Sequence, residues 1–154
     1  MEKGYITDGM LEDWRHQGFL AVPGVYDAAQ MKEITRWVSD IQQWPETAGR
    51  HIMYFEPSLA DPDARVLNRV ENFLPYHEQM AALLENDLRA ACSRLFDEES
   101  VLFKEKINFK LPGSGGFEAH QDAQAGWERY AKLFITATVI VDRATVENGC
   151  LELA

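Results

Sequence analysis

The sequence predicts an α+β domain with helices leading and strands following, and three patterns predict it. Apolar residues recur at helical spacing in 28–44 (Met31, Ile34, Trp37, Val38, Ile41) and in 76–96 (Met80, Leu83, Leu84, Leu88, Ala91, Leu95). Alternation marks 101–110 as a strand, with Val101, Phe103, Ile107 and Phe109 on one face, Lys104, Lys106, Asn108 and Lys110 on the other, and Glu105 the one misfit. A third stretch, 133–141, is apolar on both faces except at Thr136 and Thr138 and reads as a buried strand whose threonines face something polar. At 154 residues the chain is one domain's worth and can bury a core.

Thr7 or Asp8 caps a first helix running to about residue 17, and Gly18 suits the left-handed position that ends it. Phe19 to Val22 reads as a short strand stopped by Pro23-Gly24. Asp27 opens the second helix, with Gln30 three residues on as a capping box, and Trp44-Pro45 closes it. Trp37 and Trp44 are expected in the core and on its flank. From 46 to 75 no period is sustained, and Tyr54 and Phe55 are read either as a short strand or lid or, the stronger rival, as aromatics that pin a loop. His51 is either a structural loop histidine or a spare metal ligand, and His77 a helix-end residue. The helix of 76–96 is expected to break near Asn86. Residues 142–148 read as a connecting loop, Gly149 as a turn, and 150–153 as the start of another strand.

With 46% hydrophobic and 26% charged residues the composition is that of a globular protein. A formal net charge of −10 argues against nucleic acid as a partner, because phosphate backbones are bound by clustered Lys and Arg. No run is long enough to span a bilayer and Met1 to Thr7 holds no apolar segment, so neither a membrane nor a signal peptide is expected. Cys92 on a helix and Cys150 on a strand are expected as buried, reduced thiols in the cytoplasm.

The chemistry concentrates in KEKINFKLPGSGGFEAHQDAQAGW at 104–127. In a strand Glu118, His120 and Asp122 share a face, with Gln121 on the opposite one. An imidazole and a carboxylate two residues apart can bind one metal ion. With a second histidine from elsewhere they make the 2-His-1-carboxylate site of non-haem Fe(II), which leaves positions open for an oxidant and a co-substrate. His-x-Asp alone is a weak signal, and its plain rival is a surface histidine beside a loop aspartate. Pro112 to Gly116 forms a flexible turn that delivers the chain to this pair. Upstream, Lys106 and Asn108 present a cationic and amide face that can hold an anionic co-substrate, while Lys104 and Lys110 are equally well read as exposed strand-edge residues.

The segment GFEAHQDAQAGW, with INFK before it and DRATVENGCLEL after it, resembles the phytanoyl-CoA dioxygenase family of Fe(II)/2-oxoglutarate oxygenases. The run Gly18-Phe19-Leu20-Ala21-Val22-Pro23-Gly24-Val25 resembles the family's opening motif. Gly-Phe-Glu-x-His-x-Asp is most similar to its ectoine-hydroxylase members. The resemblance implies a double-stranded β-helix, a cupin-like jelly roll of about eight strands with flanking N-terminal helices, incomplete in this chain. Residues 1–154 are then a single domain forming the N-terminal part of a longer dioxygenase domain. The second iron histidine and the 2-oxoglutarate arginine are expected after Ala154, and the chain alone is expected to bind iron poorly and to be inactive. The resemblance makes His120 and Asp122 the iron ligands, puts Lys106 and Asn108 against 2-oxoglutarate, and has Thr138 line the pocket of that co-substrate. It implies hydroxylation of a small molecule by dioxygen, with succinate and CO2 released. Trp127 and Tyr130 are expected either to pack on a small polar or zwitterionic substrate, such as ectoine or an amino- or trimethylammonio-alkylphosphonate, or equally to belong to the core. The competing class is a non-catalytic jelly-roll module that has kept part of the iron motif. A zinc hydrolase fits the cationic strand less well.

Overall fold

In the computed structural model, which describes residues 5–153, three helical stretches flank a three-stranded antiparallel sheet of order β1-β2-β3. Helix α1 (Asp8–Gln17) starts where the Thr7 hydroxyl accepts from Met10 N and stops at Gly18, whose φ of 76° costs a glycine nothing. Helix α2 (Ala28–Gln42) carries the capping box expected of Asp27 and Gln30, with both reciprocal hydrogen bonds formed at 2.9 and 3.0 Å. The third stretch runs without a break through α3 (Glu78–Ala82), a π-helical turn (Leu83–Leu88) and α4 (Arg89–Phe96). The expected break near Asn86 is therefore a widened turn and not an end. His77 caps α3 by accepting from Met80 N through Nδ1 at 3.2 Å.

The sheet gives 46–75 regular structure where no period is legible, and it includes the short strand expected at Tyr54 and Phe55. Strands β1 (Ile52–Pro57) and β2 (Arg65–Glu71) pair as a hairpin, and β3 (Lys106–Asn108) adds to the far side of β2. Tyr54 pairs with Arg69 but Phe55 with Leu67, so Asn68 is an extra, bulged residue. The bulge is satisfied: Asn68 Nδ2 donates to Glu56 Oε2 at 2.9 Å and its carbonyl accepts from Phe109 N at 2.8 Å. It also resets the alternation, so that Leu67 and Val70, three apart, both face the core.

The core lies between one sheet face and the helices. Leu67, Val70 and Phe109 pack with Ile41 of α2, Phe73, Leu74 and Met80, and Trp37, Trp44, Met53, Phe55 and Ile107 close around them. Trp37 and Trp44 are thus core and flank, as expected.

Four strand expectations fail for one reason, that a ladder needs a partner. Of 101–110 only Lys106–Asn108 is paired, because β2 ends at Glu71 and Asn72, at φ 56°, turns that chain away. Glu105, the misfit, turns inward to accept from Leu74 N at 3.2 Å. Residues 19–22, 133–141 and 150–153 pair with no strand among the described residues, and Phe19, Leu133, Ile140, Leu151 and Leu153 are exposed. Cys92 and Cys150 are free thiols, half-buried rather than buried. No helix among the described residues is long and apolar enough to cross a membrane.

Ile41 is fully buried, so Ile41→Ala should cost about 2–5 kcal/mol, read as a lowered urea midpoint at unchanged slope. His77 yields a pH dependence. Burial against Trp37 and Trp44 lowers its pKa from the usual 6.5, and its cap requires an unprotonated Nδ1. The folded value lies below the unfolded one, so its contribution is complete above 6.5 and is lost as pH falls through the folded value. Unfolding free energies measured across this window should decline with falling pH. His77→Asn, which keeps a capping acceptor, should flatten the decline.

Candidate functional site

The sheet face turned away from the core is polar. Register puts Ile52, Glu71 and Lys106 side by side across the three strands, and Tyr54, Arg69 and Asn108 in the next row. Glu71, only 7% exposed, meets Arg69 Nε at 3.0 Å and Lys104 Nζ at 2.9 Å through Oε1, and the Tyr54 hydroxyl at 3.4 Å through Oε2. Neither contact to Oε1 is an aligned hydrogen bond, so this buried carboxylate is held by charge. The Arg69 guanidinium also lies over the Tyr54 ring, 4.5 Å from its centroid.

Residues 111–130 lie against this face and are tied to it. Gly113, at φ 85°, brings its carbonyl to Leu59 N at 2.8 Å, and a Cβ there would stand 2.6 Å from Ser58 Oγ. Gly115 N donates to Glu56 Oε1 at 2.8 Å, so one carboxylate joins the glycine turn to the bulge at Asn68.

The chain then does not form the expected strand. His120 is in an irregular segment, and Asp122 begins a 3-10 turn, Asp122–Ala125, followed by a second, Trp127–Arg129. Gln124 N donates to the Gln121 carbonyl at 3.0 Å, and Gly126, at φ 81°, separates the two turns. Ala123-Gln124-Ala125 before a glycine is a helix-and-stop signal that the strand reading overlooked.

The two side chains nonetheless meet: His120 Nε2 stands 3.6 Å from Asp122 Oδ1. His120 Nδ1 contacts the Glu118 carbonyl at 2.7 Å, and since a carbonyl only accepts, Nδ1 carries the proton and Nε2 keeps its lone pair. Asp122 Oδ2 accepts from Thr136 Oγ1 at 2.6 Å, which leaves Oδ1 to face His120, with Lys106 Nζ 4.0 Å away. Each of the pair therefore has one polar atom fixed and one presented. Nitrogen and oxygen donors 3.6 Å apart can both reach one cation at about 2.1 Å. Among the described residues no third His, Cys, Asp or Glu joins them. The donor set accordingly fits two of the three protein ligands of a facial Fe(II) site.

The remaining candidates divide. Lys106 is brought to the pair, and Asn108 shares its sheet face one row along. Thr138 is exposed, and it is Thr136, not a buried threonine, that finds the polar partner. Glu118 joins through its backbone only, and Gln121 is exposed. His51 does not join. It is buried between Trp44 and Tyr76, with ring centroids 4.9 and 6.5 Å away. Trp127 packs with Phe103 and Phe134, and the exposed Tyr130 packs with Phe103; Trp127 and Tyr130 border an open depression of about 450 Å³ that Glu71 and Lys104 also line. Lys104 is thus an ion-pair partner and not a free strand-edge residue, while Lys110 reaches toward the Phe117 ring at 5.8 Å. Sequence reading missed Glu56, Arg69 and Glu71, all on the hairpin whose bulge hid its period.

Comparison with known proteins gives the family of the chain. The chain matches the phytanoyl-CoA dioxygenase (PhyH) family over residues 14–154. It is 40% identical over 151 residues to a 2-aminoethylphosphonate dioxygenase of an uncultured bacterium, covering 97% of this chain and 57% of that protein. It is 36% identical over 149 residues to a methylphosphonate hydroxylase of Gimesia maris, covering 95% and 55%. It is 31% identical over 147 residues to Dioxygenase lolE1 of Epichloe uncinata, covering 92% and 55%. The chain thus spans little more than half the length of these curated relatives. No solved structure matches it. With a family match over nearly all of its length, the chain belongs to the phytanoyl-CoA dioxygenase family.

Proposed function

We propose that this chain carries part of the active site of an Fe(II)/2-oxoglutarate-dependent dioxygenase that hydroxylates a small phosphonate, with succinate and CO2 as co-products. The observation that carries the reading is the convergence of His120 Nε2 and Asp122 Oδ1, each with its second polar atom tied down, next to the Lys106 ammonium. The activities for which two of the relatives are named favour a phosphonate over the ectoine-like alternative.

His120 and Asp122 hold the iron in this reading. Iron with 2-oxoglutarate and dioxygen supplies the oxidising power that breaks a substrate C–H bond. The chain's own residues do the positioning. Thr136 keeps Asp122 Oδ2 engaged so that Oδ1 would be the atom left to ligate a metal, and the Glu118 carbonyl holds the imidazole in the tautomer that offers Nε2. Lys106, which neutralises Asp122 here, turns to a carboxylate of 2-oxoglutarate, with Asn108 on the same face supplying an amide. Thr138 lines the same pocket, and Trp127 and Tyr130 border the substrate.

We further infer that residues 1–154 are the N-terminal part of a longer double-stranded β-helix. Two observations support this: the relatives extend well beyond the matched region, and Leu133, Ile140 and Leu151 are exposed on segments that pair with no strand among the described residues. A second histidine and an arginine for 2-oxoglutarate then come from the remainder.

The deciding experiment is a turnover screen of the full-length protein, measuring succinate release with 2-aminoethylphosphonate, methylphosphonate, ectoine and acyl-CoA esters. A phosphonate should be preferred, and preference for an acyl-CoA ester would defeat the reading. His120→Ala and Asp122→Ala should abolish stoichiometric Fe(II) binding in a titration. Thr136→Val should weaken it about 10- to 100-fold without unfolding the protein. Unchanged iron affinity in all three variants would remove these residues from the metal site.

A further inference from the structure

The depression beside the metal pair has a chemistry of its own. Glu71 and Lys104 form its charged side, Phe103, Trp127 and Tyr130 its aromatic side, and though open to solvent it spans about 450 Å³, room for a small metabolite. Two links place it next to His120 and Asp122. Glu71 is the cross-strand partner of Lys106, whose ammonium reaches Asp122. Ala125, on the rim, is one 3-10 turn from Asp122, and side chains three apart in such a turn lie one above the other.

Within the depression, the Lys104 ammonium lies 2.9 Å from Glu71 Oε1. That carboxylate is more than nine-tenths buried, yet no aligned hydrogen bond reaches Oε1. Lys104 itself is on a partly exposed, flexible stem and can return to water at little cost. We propose that Glu71 is the receptor for a primary ammonium group of the substrate, which takes the place that the Lys104 ammonium holds. This rests on the phosphonate reading above and narrows it to an aminoalkylphosphonate.

The geometry distinguishes a primary from a quaternary ammonium. At 2.9 Å a nitrogen can carry only hydrogens on the side facing the carboxylate, because methyl groups prevent so close an approach. The aromatic side would accept either. Lys104 is therefore an internal competitor, and the aromatic side chains flank the exchange.

The test is calorimetric titration of the full-length protein, loaded with Fe(II) and 2-oxoglutarate without oxygen, with three probes: 2-aminoethylphosphonate, its trimethylammonio analogue, and ethylphosphonate, which lacks the charge. The wild type should favour 2-aminoethylphosphonate over each of the others by about tenfold or more. Glu71→Gln should erase the preference over ethylphosphonate, whose own affinity holds or rises. Lys104→Met should widen the preference by removing the competitor. A preference that survives Glu71→Gln, a parallel loss for all probes, or equal binding of the trimethylammonio analogue would overturn the proposal, the last pointing to the aromatic side as the cation's receptor. If the wild type binds no phosphonate, the phosphonate reading itself fails and this one with it.

Discussion

Everything at the site depends on the register of β2 against β3. With Val70 opposite Ile107 and Glu71 opposite Lys106, one face of the sheet is apolar and the other charged. A slip of one residue would reverse both faces. It would carry Glu71 and Lys106 toward Ile41 and Phe73, at a cost of several kcal/mol per buried ion, and expose Val70. The hydrophobic core therefore fixes more than stability: it fixes which strand residues reach Asp122. The bulge at Asn68 completes the constraint, since without the extra residue Leu67 and Val70 could not both face the core.

The helices were legible because their signals are local. Thr7, Gly18, Asp27 and Gln30 each act within four residues of themselves, and the structure uses them as read. The strands were not, because pairing is decided elsewhere in the chain. The alternation of 101–110 is real, but β2 offers a partner only as far as Glu71. The period of 65–71 is broken by a bulge that no short window reveals. The candidate pair His120 and Asp122 rests on a strand that does not form: their proximity survives because two residues separated by one neighbour are close in a turn as well. Thr136 was flagged for needing a polar partner, but which partner depended on a tertiary contact across 14 residues.

The two carboxylates on this face differ in a way that suits different tasks. Glu71 is buried, with nitrogen partners at 2.9 and 3.0 Å, whereas Asp122 retains 29% side-chain exposure, with nitrogens at 3.6 and 4.0 Å. Asp122 is less deeply buried and its cationic contacts are loose, so a cation arriving there displaces weak partners and strands no buried charge. At Glu71 desolvation has already been met by two cations, so only a group that replaces one of them in kind can enter without leaving a buried charge unpaired. An incoming cation at Asp122 is thus admitted for its charge, and one at Glu71 for its shape and its hydrogens. The difference follows from depth: Glu71 is anchored on the middle strand of the sheet, and Asp122 on a turn laid over it.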